Sequence, residues 1–327
     1  MKAVQKNYQS LNTMSEISRR NLLLASGAAA LATFTGSTVA EEKPSPLPFY
    51  PALNFGTLRG FNLTLEQEID IAAQAGYKGI EPWEDRIRGY IDRGGNLDDI
   101  RKRINDHGLI VEGIVSFFQW AVEDNERRAT GIEQMKRLMD WANQIGTGYV
   151  AATAAGVTNE RIDDFRLLGD RYRTILEIGD ETGVYPTLEI WGAVQTLNSL
   201  PDAVAISTWA GHPRASLLLD VYHMFRGGSP FGGLMMLNGR RLSTFHVNDY
   251  PAEPPRERLE DRHRIYCGDG IAPLVDIFRM LHDIGYEGGL SFEVFNPDYW
   301  ATGNPLLIAR TALEKLNAVL GEAGVRS

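Results

Sequence analysis

DDFRLLGDRYRTILEIGDETGVYPTLEI, from Asp163 to Ile190, contains the unit that decides the fold. Residues 163–182 carry helical periodicity, and Gly183 stands where a left-handed cap would close the helix. Pro186-Thr187-Leu188-Glu189-Ile190 follows, a short apolar run holding an ionisable side chain. The same rhythm extends in both directions. Strand candidates fall at 53–58, 79–82, 110–115, 149–154, 186–190, 216–221, 243–247 and 290–294. Helices are expected at 64–75, from 96 to near 108, and at 126–145, 163–182, 201–210, 272–284 and 305–320. Thr64 opens the first of these as a capping box with Gln67. Only the link between the sixth and seventh strands, with Gly227-Gly228 and Gly232-Gly233, lacks a long helix. Eight βα units in about 270 residues predict an α/β fold, a single (β/α)8 TIM barrel over 52–327. A doubly wound sheet is the alternative, but no glycine-rich fingerprint follows the first strand.

The 327 residues are 43% hydrophobic and carry a formal charge of −9. Residues 1–40 contribute +3 of this, so the remainder stands at about −12, which argues against a nucleic-acid partner. Cys267 is the only cysteine, so no intramolecular disulfide can form. Ser18-Arg19-Arg20-Asn21-Leu22-Leu23 places two arginines before an apolar stretch, 22–34, too short to span a bilayer. Thr38-Val39-Ala40 then offers small residues for cleavage. Residues 1–40 therefore read as a twin-arginine-type export signal, with Met14 as an alternative start and a periplasmic destination. Residues 41–51, with four prolines, read as a linker, and no stable membrane span is expected once the signal is removed.

In a TIM barrel the C-terminal ends of the strands meet at one mouth, where chemistry is expected. Four such windows hold ionisable groups within or after apolar runs: Glu189, Asp220 with His223, His246 with Asp249, and Glu293. Unpaired carboxylates there would lose hydration and repel one another, and a divalent cation offsets both costs. Glu189, Asp220, His246 and Glu293 are accordingly expected to form one metal site. Oxygen-rich ligation with one imidazole favours Mn²⁺, with Mg²⁺, Co²⁺ or Zn²⁺ as alternatives. Taken singly, each residue could instead be satisfied by a core hydrogen bond or salt bridge.

The order Glu in strand five, Asp-x-x-His in strand six, His-x-x-Asp in strand seven, Arg-x-x-x-Gly-x-Gly, then Glu in strand eight resembles the xylose isomerase-like superfamily of sugar isomerases and epimerases. Here it is written by Glu189, Asp220 with His223, His246 with Asp249, Arg264 with Gly268 and Gly270, and Glu293. One departure shows: Cys267 stands where the family usually has proline. The resemblance implies metal binding by the four ligands and substrate-oxygen contacts from His223 and Arg264. Glu189 and Glu293 would be the catalytic acid/base pair, and Asp249 would orient His246 or the loop after it. Trp83, Phe117, Phe118, Trp120, Trp191, Tyr222, Phe295 and Trp300 cluster in the same windows. Trp83 and Trp191 are the preferred pocket walls. Glu81 is a further candidate substrate contact or a solvated turn, and Glu112 is expected to pair within the barrel base.

The expected activity is isomerisation or epimerisation of a keto sugar or keto polyol by proton abstraction α to a carbonyl, with a small carbohydrate as the partner. A lyase that eliminates from a 3-keto-glycoside or dehydrates a keto-inositol would use the same first step. A secreted sugar-binding barrel with a structural metal is the non-enzyme alternative, and the two acid/base glutamates argue against it. Barrels of this type often pair, so a homo-oligomer is allowed.

Overall fold

The computed structural model describes residues 49–324. The export signal read at 1–40 and most of the linker lie outside that range. Among the described residues are eight strands: β1 (Phe49–Asn54), β2 (Gly79–Glu81), β3 (Ile110–Val111), β4 (Tyr149–Ala152), β5 (Tyr185–Glu189), β6 (Leu217–Asp220), β7 (Leu242–Val247) and β8 (Gly288–Phe292). They form one parallel sheet in the order β3-β2-β1-β8-β7-β6-β5-β4. Ile114 bridges its two outer strands, donating to Tyr149 O at 3.2 Å and accepting from Ala151 N at 2.9 Å. The sheet thus curls into the expected TIM barrel, with helices in the connections.

Local signals explain where the helices begin and end. Thr64 accepts from Gln67 N while Gln67 Oε1 accepts from Thr64 N, the reciprocal capping box that starts Leu65–Ala75. Gly146 and Gly183, at φ 96° and 79°, close Asn125–Ile145 and Phe165–Thr182 in the left-handed region that penalises a Cβ. The glycine-rich link after β6 holds only a short helix, Val221–Arg226, and 3-10 turns.

Three expectations need correction. β1 was expected at 53–58 but starts at Phe49, so Phe49–Pro51 belongs to the barrel and not to a linker. The prolines suggested a linker, yet Pro51 needs no N–H here: its carbonyl accepts from Lys78 N at 3.1 Å, and Phe49 stacks on Tyr286 at 5.8 Å. β8 likewise starts at Gly288, within a pair of apparent breakers. A Cβ on Gly289 would lie 2.3 Å from the Glu112 carboxyl carbon, and Gly289 N donates to Glu112 Oε2 at 2.9 Å. Glu112 therefore pairs within the barrel base as expected, and burial pushes its carboxyl up to about 7. Finally, Glu84–Asp92 is helical although no helix was expected there. Its N-cap Trp83 makes no side-chain cap bond and only Ile87 and Tyr90 are buried, so the sequence signal is faint.

Candidate metal centre and active site

Strand register sets the centre. Asp220 and His246 are paired across β6 and β7, and His246 faces Ser291 of β8, with Glu293 one residue beyond that strand. Asp220, His246 and Glu293 each offer a ligand atom within 4.8 Å of the others, and all three are buried. His246 Nδ1 lies 3.7 Å from Asp220 Oδ2 and 3.5 Å from Glu293 Oε2 and has no hydrogen-bond partner. Ligands held about 2.0–2.2 Å from a common ion have separations of this size. Glu189 is not in this compact set. Its Oε1 accepts from Trp191 Nε1 at 3.1 Å, while Oε2 is buried without a partner. The donor chemistry, the orphaned imidazole nitrogen and the orphaned carboxyl oxygen fit a divalent cation, with Asp220, His246 and Glu293 as the compact set.

Each donor is oriented from behind. Asp220 Oδ1 caps the helix after β6, accepting from His223 N at 2.7 Å, and its Oδ2 accepts from Asn248 Nδ2 at 3.0 Å. Asn248 Oδ1 accepts from Tyr222 N at 3.0 Å, so one amide braces β6 and β7 together. Glu81 is 1% exposed, so it is neither a solvated turn nor a wall of the cavity. Its Oε2 accepts from Asn54 Nδ2 at 2.8 Å and Ser291 Oγ at 2.7 Å. The same oxygen stands 2.7 Å from His246 Nε2, an ion-pair contact not in line for a hydrogen bond. Burial alone would raise the Glu81 carboxyl, but the facing imidazole and the two donors hold it below its usual range. Glu81 is therefore a positioning residue for His246, with Nδ1 left facing the other donors. Asp249 does not touch His246. Its carboxylate accepts from Tyr250, Gly268, Gly270 and Ala272 backbone N–H groups at 2.8–3.0 Å and so folds the loop that carries Arg264.

Arg264 is 1% exposed and lies between the faces of Tyr222 and Phe295, 4.5 and 5.1 Å from their centroids. Nη1 donates to Asp220 Oδ2 at 3.2 Å and Glu293 Oε2 at 2.7 Å, and Nη2 to Asp261 Oδ1 at 2.8 Å. It therefore touches two metal-site carboxylates directly, a contact the sequence reading did not include. Burial opposes the ionised Glu293 carboxylate, but His246 and Arg264 lower its pKa on balance. At Glu189 burial, reinforced by Glu293 and Glu81, outweighs the pull of His246 and pushes the carboxyl up to about 8. His223 is held neutral by burial and by Arg264. It meets Gly192 N at 3.2 Å through Nδ1 and Arg264 Nη2 at 2.9 Å through Nε2. Each contact asks for an acceptor nitrogen and a neutral imidazole has one, so His223 is clamped between Gly192 and Arg264 at the edge of the cavity.

Above the centre opens a cavity of about 630 Å³ lined by Trp83, Phe117, Glu189, Trp191, His223, Arg264, Glu293, Phe295 and Trp300, with Arg59 at its side. Phe117 lies 5.1 Å from Trp83 and 5.7 Å from Trp191, completing an aromatic arc. Trp83 Nε1 donates to Asn54 Oδ1 at 2.7 Å, which locks that ring. Other aromatics of the expected cluster lie elsewhere. Trp120 is a core residue donating to Thr153 O, Tyr222 is fully buried beneath Arg264, and Phe118 lies in a different recess. Asn54, Asn248, Ser291 and Asp261 were not expected at the site. Asn54 and Asn248 are polar residues at the ends of apolar runs and could have been noticed; Ser291 carries no such signal.

The fold and the carboxylate-imidazole mouth define a TIM-barrel enzyme with a candidate metal site. A family described as xylose isomerase-like TIM barrel matches residues 69–319, and the chain belongs to it. An inosose isomerase of Bacillus velezensis is 26% identical over 268 residues, covering 80% of this chain and 94% of that protein. A fructoselysine 3-epimerase of Escherichia coli O157:H7 is 24% identical, covering 80% and 95%. A 3-dehydroshikimate dehydratase of Pseudomonas aeruginosa is 25% identical over 73% of this chain and 37% of its own length. Among solved structures, the IolI protein with a bound zinc atom superposes with a TM-score of 0.77 at 23% identity, covering 84% of this chain and 99% of that one. No helix among the described residues is long and apolar enough to cross a membrane.

Proposed function

We propose that this enzyme removes a proton from the carbon next to a carbonyl in a keto sugar or keto polyol, and returns one to complete an isomerisation or epimerisation. The observation that carries this reading is the convergence of two carboxyl groups, Glu189 and Glu293, on one aromatic-walled cavity directly over Asp220 and His246. A divalent ion held by Asp220, His246 and Glu293, with Glu189 completing the set, would supply Lewis acidity to oxygens beside the reacting carbon. Manganese remains the first choice, with Mg²⁺, Co²⁺ or Zn²⁺ as alternatives, and zinc is the ion named for the IolI protein.

The chain's own groups then divide the work. Glu293, beside Arg264 and His246, takes the proton, and Glu189, facing the same cavity, can return one from another direction. His223 and Arg264 hold a substrate oxygen, and Trp83, Phe117 and Trp191 cover the C–H faces of the ring and exclude water. Relatives named isomerase, epimerase and dehydratase suit this division, because each of those reactions on a keto compound begins by removing an α-proton. A second reading is favoured by one observation. Ala193 and Val194 line both this cavity and a neighbouring one of about 530 Å³, which would take the remote part of a substrate longer than one ring. In that case the same proton abstraction would expel a β-substituent from a 3-keto-glycoside.

Metal-loaded protein incubated in D₂O with ketoses, keto-inositols and 3-keto-glycosides should exchange an α-proton with at least one class. Product analysis then separates rearrangement from elimination. No metal-dependent exchange with any class would sink both readings. Export to the periplasm is proposed from residues 1–40 alone, and cell fractionation with Arg19 and Arg20 both changed to lysine tests it.

A further inference from the structure

The second cavity is chemically unlike the first. Three guanidinium groups, from Arg161, Arg226 and Arg256, face it against a single carboxylate on its wall, Glu257. In a chain of net charge −9 this is a local reversal of sign. The arginines are not equally engaged. Arg161 is taken up by Asp202, at 2.6 and 3.1 Å, and by Asp163. Among the described residues Arg256 pairs with one carboxylate, that of its exposed neighbour Glu257, which meets Nε and Nη2 at 3.1 Å each. Arg226 is half-buried and donates through Nε to Leu259 O at 3.1 Å. Among the described residues no carboxylate lies within ion-pair distance of it. Arg226 thus has its terminal nitrogens to offer a ligand, and Arg256 is held only by a surface pair that a ligand anion can replace.

The cleft is also built by close backbone packing. A Cβ on Gly192 would lie 2.3 Å from His223 O and 2.5 Å from Gly227 N. One on Gly227 would lie 1.9 Å from Asn198 O. Glycine at both positions lets the loop after β5 pack directly on the turn after Val221–Arg226, which brings Arg226 beside Ala193 and Val194. Those two residues line both cavities. Gly192 N also holds His223, so the cleft and the reaction centre share a rigid wall.

We propose that this cleft is a second subsite that receives an anionic group, a carboxylate or a phosphate, on the part of the substrate remote from the reacting carbon. Arg226 and Arg256 would grip it through charge-assisted hydrogen bonds, and planar forks suit either anion. The reacting end rests on the proposed function above, whereas the anion subsite rests on the cleft alone. The substrate class becomes a keto sugar joined to an acidic substituent.

The test uses unreactive probes on the metal-loaded protein: phenyl glucoside, its 4-carboxyphenyl analogue and its 4-phosphorylated phenyl analogue, titrated calorimetrically. One or both anionic probes should bind about tenfold or more tightly than the neutral one, and the stronger of the two identifies the anion. Arg226→Gln with Arg256→Gln should remove that preference. Arg256→Gln alone, which disturbs only a surface pair, should reduce it without changing the melting temperature. Equal binding of all three probes, no binding of the anionic ones, or a preference that survives the double variant would each overturn the subsite. Proton exchange into the corresponding 3-keto-glucosides separates this from the reaction. Exchange without anionic preference removes only the subsite, and anionic preference without exchange removes only the reaction.

Discussion

Replacing Glu81 by glutamine tests how the barrel prepares its metal site. Glutamine keeps the shape and can still accept from Asn54 Nδ2 and Ser291 Oγ, now at 2.8 and 2.7 Å, so β1 and β8 stay braced. What disappears is a full negative charge 2.7 Å from His246 Nε2, in a place where both side chains are essentially excluded from water. That charge holds the ring with Nδ1 toward Asp220 and Glu293 and makes the imidazole a better donor. Loss of a carboxylate behind a ligating histidine typically costs about 10–100-fold in metal affinity, or roughly 1.4–2.7 kcal/mol. Competition between protein and a chelator of known affinity, read by metal analysis for Mn²⁺ and Zn²⁺, gives the ratio directly. Circular dichroism and melting should show a folded barrel. An affinity equal to wild type in a folded Glu81→Gln protein would refute the idea that Glu81 positions His246 for a metal.

Glu293→Gln should lower proton exchange by about 10²–10⁴-fold while the fold persists, because the amide oxygen can still accept from Arg264 Nη1; wild-type exchange would overturn its role. Asp249→Asn removes the charge that gathers four backbone N–H groups and should cost about 2–3 kcal/mol in denaturant titration, with activity falling as the Arg264 loop loosens. Glu68 is fully buried beside Arg86, and burial pushes its carboxyl up to about 8. The folded state therefore binds the extra proton between about pH 4.5 and 8, and stability should fall as pH rises through that window. Glu68→Gln should flatten part of this slope, a difference of at most about 4–5 kcal/mol, and an unchanged slope would contradict it. Stripping divalent metal should depress the melting temperature of the wild type more than that of Glu293→Gln, which has already lost a ligand charge.

Much of the barrel was legible because its signals are local. The Thr64–Gln67 box, the glycines at 76, 146 and 183, and the apolar runs at 149–152 and 217–220 depend on hydrogen bonds and side-chain spacing within a few residues. Where the reading slipped, long-range contacts overrode local preference. Pro51 and Gly288-Gly289 look like breakers, yet a proline is harmless where its missing N–H is not needed, and a glycine is required where Glu112 fills the space of a side chain. The helix Glu84–Asp92 has almost no buried face to announce it.

At the site, the sequence by itself determined which residues ended strands five to eight with charge, since an ionisable group in an apolar run is visible without coordinates. It therefore determined the candidate ligands and the residues proposed as the acid/base pair. Only the tertiary structure decided what stands behind each of them. Glu81 comes from the second strand, yet it meets His246 and Ser291 because the sheet order sets β1 between β2 and β8 and the curl of the sheet brings their ends together. The structure alone also placed Glu189 outside the compact set and laid Arg264 across Asp220 and Glu293. These pairings join residues tens to hundreds of positions apart, and their strength depends on burial, which strand periodicity does not encode.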